Sequence, residues 1–525
     1  MNKIPFAIGS AAGVAVAPID ASATIGTFSG GSSVFTGLVF SKKGKPNTVL
    51  GITPNNVKSV LGDAPRPQEG PFFEPLRHVN QALSGGNGYV VRVPLPGMMI
   101  PAIHLTADTT GTPAVTTVKA STSATPFGAD ITVPAKAALT IYVEDGDKSE
   151  NRKLSLEPIK SKPGFFALKL METDSLGAVT TIESYEVSFK IDAIDDMSLS
   201  AFLPDVLERN NSCLRALVSE TAVLPETFNS ISQAFVGGSD GDFKKLTAKD
   251  YSASIAVLEG SIVDFTAVLT LGIYDAVAIG QLADLAKAVR VDMFADVDPR
   301  LPADKALAQL AALGLGGNEN VAAYYFPYSC RDPLGQSTVV FGLSGDAFTA
   351  KAKGVALVPD IGGWHYSPAG KDRGVINRKN IKPLPAAANI DREVFAKAHL
   401  NVVTSSEGVI FIDDALTTCA EDNYKKYQHV VSVMNSIARN YYALASSIKH
   451  SPDGITREGL EKGMTRLLDR YYAAEALRKP RDPDQGDAPY ILTVTNTDFD
   501  SWQTRWEVCV VGVGRRIVGI PVLLR

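Results

Sequence analysis

The chain has 525 residues, 45% hydrophobic and 20% charged, with a formal net charge of −5. This is too long for one ordinary hydrophobic core and predicts roughly two to four domains of globular composition. The slightly acidic balance gives no electrostatic case for nucleic-acid binding, which needs a basic face.

At the N-terminus, Lys3 followed by a small apolar stretch has the outline of a signal peptide. However, Pro5, Gly9 and Gly13 break the apolar run and Lys3 is its lone basic residue. We read 11–19 instead as an extended, β-capable arm. A strand signal at 32–40 leads through a polar turn at 41–47 to a short helix at 55–61, ending at Gly62. Residues 72–83 place Phe73, Leu76, Val79 and Leu83 at helical spacing and stop at Gly85-Gly86, before a buried strand at 88–93. This is an α/β arrangement.

From about residue 95 to 200 the chain is rich in Thr, Val, Ser and Ala, with alternating runs at 139–143 and 185–191. That pattern predicts an all-β module of sandwich or barrel type inserted into the α/β domain. The α/β pattern resumes with a helix at 203–210, a strand at 214–218 and a helix at 247–259. It continues with a strand at 265–271, a helix at 274–289, a strand at 291–295, a helix at 302–313 and a strand at 322–328. Such alternation predicts a parallel sheet covered on both faces.

A loop-rich region, 358–388, precedes a helical one. Tyr424, Tyr427, Val431, Met434, Ala438 and Tyr441 recur at three and four, and a second helix is expected over 457–479, ending at Pro480. The end of the chain reads as strands at 490–496, 506–512 and 516–525, with Pro521 demoting the last to an edge strand or one that leaves its own domain. A hydrophobic strand with no sheet of its own must pair elsewhere, and another copy of the chain is one physical solution.

Cys213, Cys330, Cys419 and Cys509 are far apart with no CxxC pair, which suits free thiols in a reducing compartment. The histidines show no HExxH spacing. We expect no metal and no cofactor. The most apolar long segment, 261–280, carries Asp264 and Asp275, so membrane insertion is not expected.

The Gly-rich turn from Gly314 follows a predicted helix and precedes a strand, the wrong order for a dinucleotide site. Asp360, His365 and Ser367 lie together in one Gly-rich loop, whereas triad partners come from separate elements; no GxSxG elbow supports them. Trp364 and Tyr366 read as packing or contact residues, and Glu407, Asp413 and Asp414 as solvated strand-end carboxylates. Lys462, Arg466 and Arg470 fall on one helix face, a solvated row or a contact for an acidic partner. Arg515 and Arg516 could clamp a neighbour's carboxylate.

In their order along the chain, several stretches resemble the contractile tail sheath proteins of bacteriophages and their bacteriocin and secretion-system relatives. These are Gly85 through Val93, Val236 through Phe243, Tyr324 through Ser329 with Asp332-Pro333, and Gly354 through Trp364, followed by the helices and terminal strands. The resemblance implies a subtilisin-like α/β domain lacking the protease triad, a β-sandwich-type insertion, and an α+β C-terminal domain with extended terminal strands. The corresponding expectation is an arm at 1–24, an α/β domain at 25–95 and 201–388, and a β-rich insertion at 96–200. A helical domain at 389–487 and C-terminal strands and arm at 488–525 complete it.

The resemblance further implies a structural, non-enzymatic subunit of a virion tail, assembled in the host cytoplasm. It would polymerise as a helical stack of hexameric rings around a tail tube protein, with baseplate and tail-terminator proteins as further partners, and contract to drive the tube through the host envelope. Carried over by position, the inter-subunit arms would use Val14, Val16, Ile517, Val518 and Ile520, with Arg515 and Arg516 beside them. We assign Lys462, Arg466 and Arg470 to the tube-facing surface as a hypothesis. The competing readings are an α/β hydrolase or nucleotide-binding enzyme, and a secreted surface-layer or adhesin protein.

Overall fold

The computed structural model describes residues 32–110, 115–145, 151–173, 177–226 and 228–515. The expected arm residues Val14, Val16, Arg516, Ile517, Val518 and Ile520 lie outside these.

The chain opens with β1 (Val34–Val39), β2 (Val49–Ile52), α1 (Val57–Leu61), α2 (Glu74–Ala82) and β3 (Asn87–Arg92). It then builds β4 (Met99–Thr110), β5 (Val115–Pro126), β6 (Ala137–Val143), β7 (Arg152–Pro158), β8 (Phe165–Thr173) and β9 (Val179–Ser188). Next come α3 (Leu203–Arg209), β10 (Leu214–Val218) and β11 (Ile231–Ala234). Alternation resumes with α4 (Ala248–Gly260), β12 (Ala267–Leu269), α5 (Ala276–Val289), β13 (Asp292–Val297), α6 (Ala303–Ala312) and β14 (Val321–Tyr325).

Local sequence explains several of these boundaries. Asp250 accepts from the backbone N–H of Thr247 at 2.8 Å at the start of α4, and Asp275 accepts from Ala278 N at 2.9 Å at the start of α5. The strand expected at 322–328 is divided. Pro327 has no N–H to continue a ladder, so β14 stops at Tyr325 and the chain turns into β15 (Tyr328–Arg331) and β16 (Thr338–Val340). Then follow α7 (Ser344–Ala356), β17 (Lys382–Pro383), α8 (Arg392–Lys397), β18 (Leu400–Asn401), β19 (Val403–Ser406) and β20 (Val409–Ile412). The chain closes with α9 (Gln428–Ile448), α10 (Asp453–Ala473), β21 (Tyr490–Asp498) and β22 (Ser501–Val508).

Seven strands form one sheet in the order β18-β14-β13-β12-β1-β3-β2, and every neighbouring pair is parallel except β2 with β3. Side chains alternate between its faces. Phe35, Val39 and Phe294 pack with Leu76, Val79 and Phe348 of α2 and α7, whereas Leu38, Val268 and Met293 pack with Ile255 and Leu282 of α4 and α5. The chain is thus a mixed α/β protein with several sheets.

Between β3 and α4 lie two four-stranded antiparallel sheets, β10-β6-β4-β5 and β11-β7-β8-β9. Ile103 and Ile141 of one share an apolar core with Leu156, Phe166 and Leu168 of the other. The sequence pattern places the return to α/β at residue 201, but β10 pairs with β6 and β11 with β7, so the antiparallel sheets extend to Ala234. Two short strands show which elements they are but not which partners they will take.

Candidate functional site: an open hairpin on a helical base

The C-terminal unit has a third apolar core. Val433, Ile437 and Tyr441 of α9 meet Leu460, Met464, Leu468 and Tyr471 of α10. The opposite side of α9 is polar and faces the large sheet. Ser432 Oγ donates to Asp292 Oδ2 at 2.5 Å, Asn435 Nδ2 donates to Asp292 Oδ1 at 3.3 Å, and Tyr324 OH donates to Gln428 Oε1 at 2.9 Å. One helix thereby joins the α/β sheet to the C-terminal unit by two different surfaces.

On this base lies the β21–β22 hairpin, in register from Tyr490 opposite Val508 to Asn496 opposite Trp502, with a shift before Asp498 meets Ser501. Its alternation is clean. Val494 and Val508 are buried, and Tyr490, Leu492, Trp502 and Trp506 pack inward with them. The Trp506 ring lies 4.9 Å from that of Tyr441, and Tyr490 OH donates to Asp469 of α10 at 2.5 Å. Ile491, Thr493, Thr495, Gln503 and Arg505 face away from the base. Among the described residues this sheet has two strands, so both outer edges present backbone groups without a strand partner. An isolated two-stranded hairpin is marginal in water; this one is held by its helical base and can accept a strand on either side.

Beyond the hairpin the chain does not leave at once. Val511 N donates to Ala476 O at 3.0 Å and Arg478 N donates to Cys509 O at 2.9 Å, with Leu477 bridged to Val510. That pairing ends α10 at Ala473, short of the expected 479, while Pro452 caps its start four residues earlier than expected. It also places the second hairpin strand at 501–508 rather than 506–512. Arg515 stacks over the Tyr427 ring at 5.4 Å and donates from Nε to Asp414 at 2.9 Å. The guanidinium expected to engage a neighbour is therefore bonded within its own chain, and Asp414 is ion-paired rather than solvated.

The charge row on α10 is exposed but largely paired. Lys462 pairs with Glu458, and Arg470 is bidentate to Asp360; Arg466 lies exposed between them. The Asp360–His365–Ser367 group does not converge on a catalytic geometry. Asp360 is turned to Arg470, and Ser367 Oγ accepts from Ala369 N at 3.2 Å. His365 is buried, its pKa driven down to about 4 by burial and by the nearby Lys351. Trp364 is buried under Arg439, 5.4 Å from its ring. Asp413 is held by Arg392 and Glu407 by Lys371.

A constellation the sequence reading missed lies between α2 and α7. Ser344 Oγ is 3.1 Å from His78 Nδ1, and the two His78 nitrogens are each 3.8 Å from a carboxylate, Glu74 and Asp296. All four side chains are 0% exposed, which leaves no path for a substrate. The backbone N–H groups that could hold an oxyanion are occupied, because Leu343 N and Ser344 N donate to Asp296 at 2.6 and 2.8 Å. Even a Cβ on Gly342 would lie 2.4 Å from Asp296 Oδ1. Ser344 and His78 are 266 residues apart, and neither stands in a motif, so no sequence signal could have joined them. As placed, the group is a buried polar tie between helix and sheet. No group of metal-ligating side chains and no helix long and apolar enough to cross a membrane occurs among the described residues.

No family model matches the sequence, and no curated protein matches it significantly. Solved structures do. The sheath tail protein from Listeria innocua aligns over 91% of this chain and 96% of its own at 11% identity, with a TM-score of 0.54. The sheath tail protein from Desulfitobacterium hafniense covers 91% and 97% at 16% identity and a TM-score of 0.49. The sheath complex of an extracellular contractile injection system in its contracted state covers 52% and 74% at 14% identity and a TM-score of 0.41. The chain has the fold of the sheath tail protein from Listeria innocua. At these identities the likeness defines architecture and leaves function to be argued from the site.

Proposed function

We propose that this chain is the structural subunit of a contractile tail sheath, and that its hairpin is the socket by which one subunit is linked to the next. The observation that carries the reading is the β21–β22 hairpin: two strands whose outer edges have no strand partner among the described residues, fixed to a helical base in a chain with a sheath-protein fold. In this reading the arms containing Val14 and Val16, and Arg516, Ile517, Val518 and Ile520, add strands to the hairpins of neighbouring copies. Stacked hexameric rings then surround a tail tube, with baseplate and terminator proteins at the ends, in a virion tail or a related injection machine. The parallel sheet is a subtilisin-like scaffold without a working triad, consistent with the sealed Ser344–His78 pair, and the role is mechanical rather than enzymatic.

Contraction in this account is a rigid-body rearrangement of subunits between discrete packings, during which the exchanged strands preserve connectivity. A small free-energy difference per subunit sums over many copies into a large driving force. The tube-facing assignment narrows to Arg466, since Lys462 and Arg470 already have carboxylate partners.

The test is removal of residues 516–525, which keeps the Arg515–Asp414 contact. The truncated chain should stay folded and soluble but fail to form tubes under conditions in which the full chain does. Unchanged polymerisation would rule out the C-terminal arm as the linker.

A further inference from the structure

The β-sandwich is attached to the α/β body by two crossing segments of chain. The chain crosses to it through 93–99 and returns through 234–243, and these two segments pair. Met99 N donates to Ser239 O at 2.9 Å, Ser239 N donates to Met99 O at 3.1 Å, and Asp242 N donates to Pro96 O at 2.9 Å. Gly241, at φ +92°, lets the returning segment pass close, since a Cβ there would lie 2.6 Å from Leu95 O. This paired neck is the covalent connection.

Away from the neck, two ion pairs cross the junction. Lys43 of the body pairs with Glu172 of the sandwich at 2.5 Å, and Lys45 with Glu144 at 2.8 Å. Arg92 at the end of β3 donates to the Asp145 carbonyl at 2.8 Å and to Asp240 of the neck at 2.8 Å. The sandwich carboxylates are held in place from behind, Glu172 by Arg152 at 2.9 Å and Glu144 by Arg215 at 3.3 Å. Between the two surfaces lies a cavity of about 810 Å³, lined by Lys43, Lys45 and Leu50 on one side and Glu144, Arg152 and Glu172 on the other. Among the described residues each hydrophobic cluster belongs wholly to one side; none spans the junction.

We infer that the β-sandwich is secured to the α/β body by an ionic latch and swings about the paired neck as a rigid body when the latch is broken. Two units with separate cores and a cavity between them keep both cores intact on separating. The free energy holding them together is therefore the part that dissolved salt weakens, most strongly at the half-exposed Lys45. The buried Arg152–Asp145 pair, with both side chains 2% exposed, stays on the sandwich side and keeps its surface intact.

The experiment joins a zero-length carbodiimide cross-link with small-angle scattering on the dispersed full-length chain. At 50 mM salt, Lys43–Glu172 and Lys45–Glu144 amides should form. At 500 mM their yield should fall severalfold, while the within-helix Lys397–Glu393 cross-link, held by its own turn, falls less. Over the same titration the maximum dimension should lengthen. The Lys43→Glu, Lys45→Glu chain should be extended already at low salt, with near-native circular dichroism. Equal cross-link yields and an unchanged scattering profile across the salt range would overturn the inference, and the wild-type titration decides the matter even if the double variant fails to fold.

Discussion

Trp506→Ala tests whether the hairpin depends on its helical base. Trp506 is partly buried, opposite Leu492 in the register, with its ring 4.9 Å from Tyr441. Truncating a fully buried Trp costs about 3–5 kcal/mol, and an aromatic pair adds about 0.5–1.5 kcal/mol beyond burial. A half-buried ring in such a pair therefore contributes about 2 kcal/mol on the same scales. Because the hairpin's inner face rests on the α9–α10 base, the loss should appear as local opening, about 30-fold in the opening equilibrium. Hydrogen exchange should report that drop in protection for amides of β21 and β22, with β13 and β14 nearly unchanged. Tube formation by the variant should weaken in parallel. An equal loss of protection in β13 and β14 would refute the idea that the hairpin opens as its own unit, and no loss at all would refute the role of the base.

Three further outcomes follow from buried groups. Asp332→Ala strands the Arg77 guanidinium, 2% exposed and bidentate to that carboxylate, so chemical denaturation should show a loss of about 3–5 kcal/mol; less than 1 would contradict the pairing. Burial pushes the Lys351 pKa down to about 8 while its ammonium donates to Trp364 O and Tyr366 O. The unfolded chain keeps this proton up to about pH 10.4, so between pH 8 and that value it binds more protons than the folded chain, and stability rises with pH. Relative to Lys351→Met, the wild type should gain about 3 kcal/mol over that window, and a pH-independent difference would contradict it. Finally, a fluorophosphonate probe should leave Ser344 unlabelled in the folded chain, and stoichiometric labelling would show that the pair with His78 is open to substrate after all.

What the sequence revealed follows from where each element's information resides. The parallel core was legible because its strands are short apolar runs bounded by helices with their own start signals, such as Thr247 with Asp250 and Asp275 before α5. The hairpin was legible as strands, though its partner segment is shifted, because pairing of 509–511 with 476–478 is a tertiary event. α7 was missed. It is buried along nearly its whole length, so it shows no polar face, and its Asp346, Lys351 and two glycines interrupt the apolar pattern of a buried helix. Asp346 is satisfied by Arg378 and Lys351 by loop carbonyls, partners the local sequence does not announce. The Ser344–His78–Asp296 tie, the Arg515–Asp414 contact and the pairing of β10 and β11 with the sandwich all join residues that are far apart in sequence.

The most direct test of the account is cryo-electron microscopy of the polymer formed by the full-length chain. A sheath linked through this hairpin should show a helical lattice in which strands from neighbouring copies lie against the outer edges of residues 490–508. A lattice in which both of those edges face solvent would contradict it.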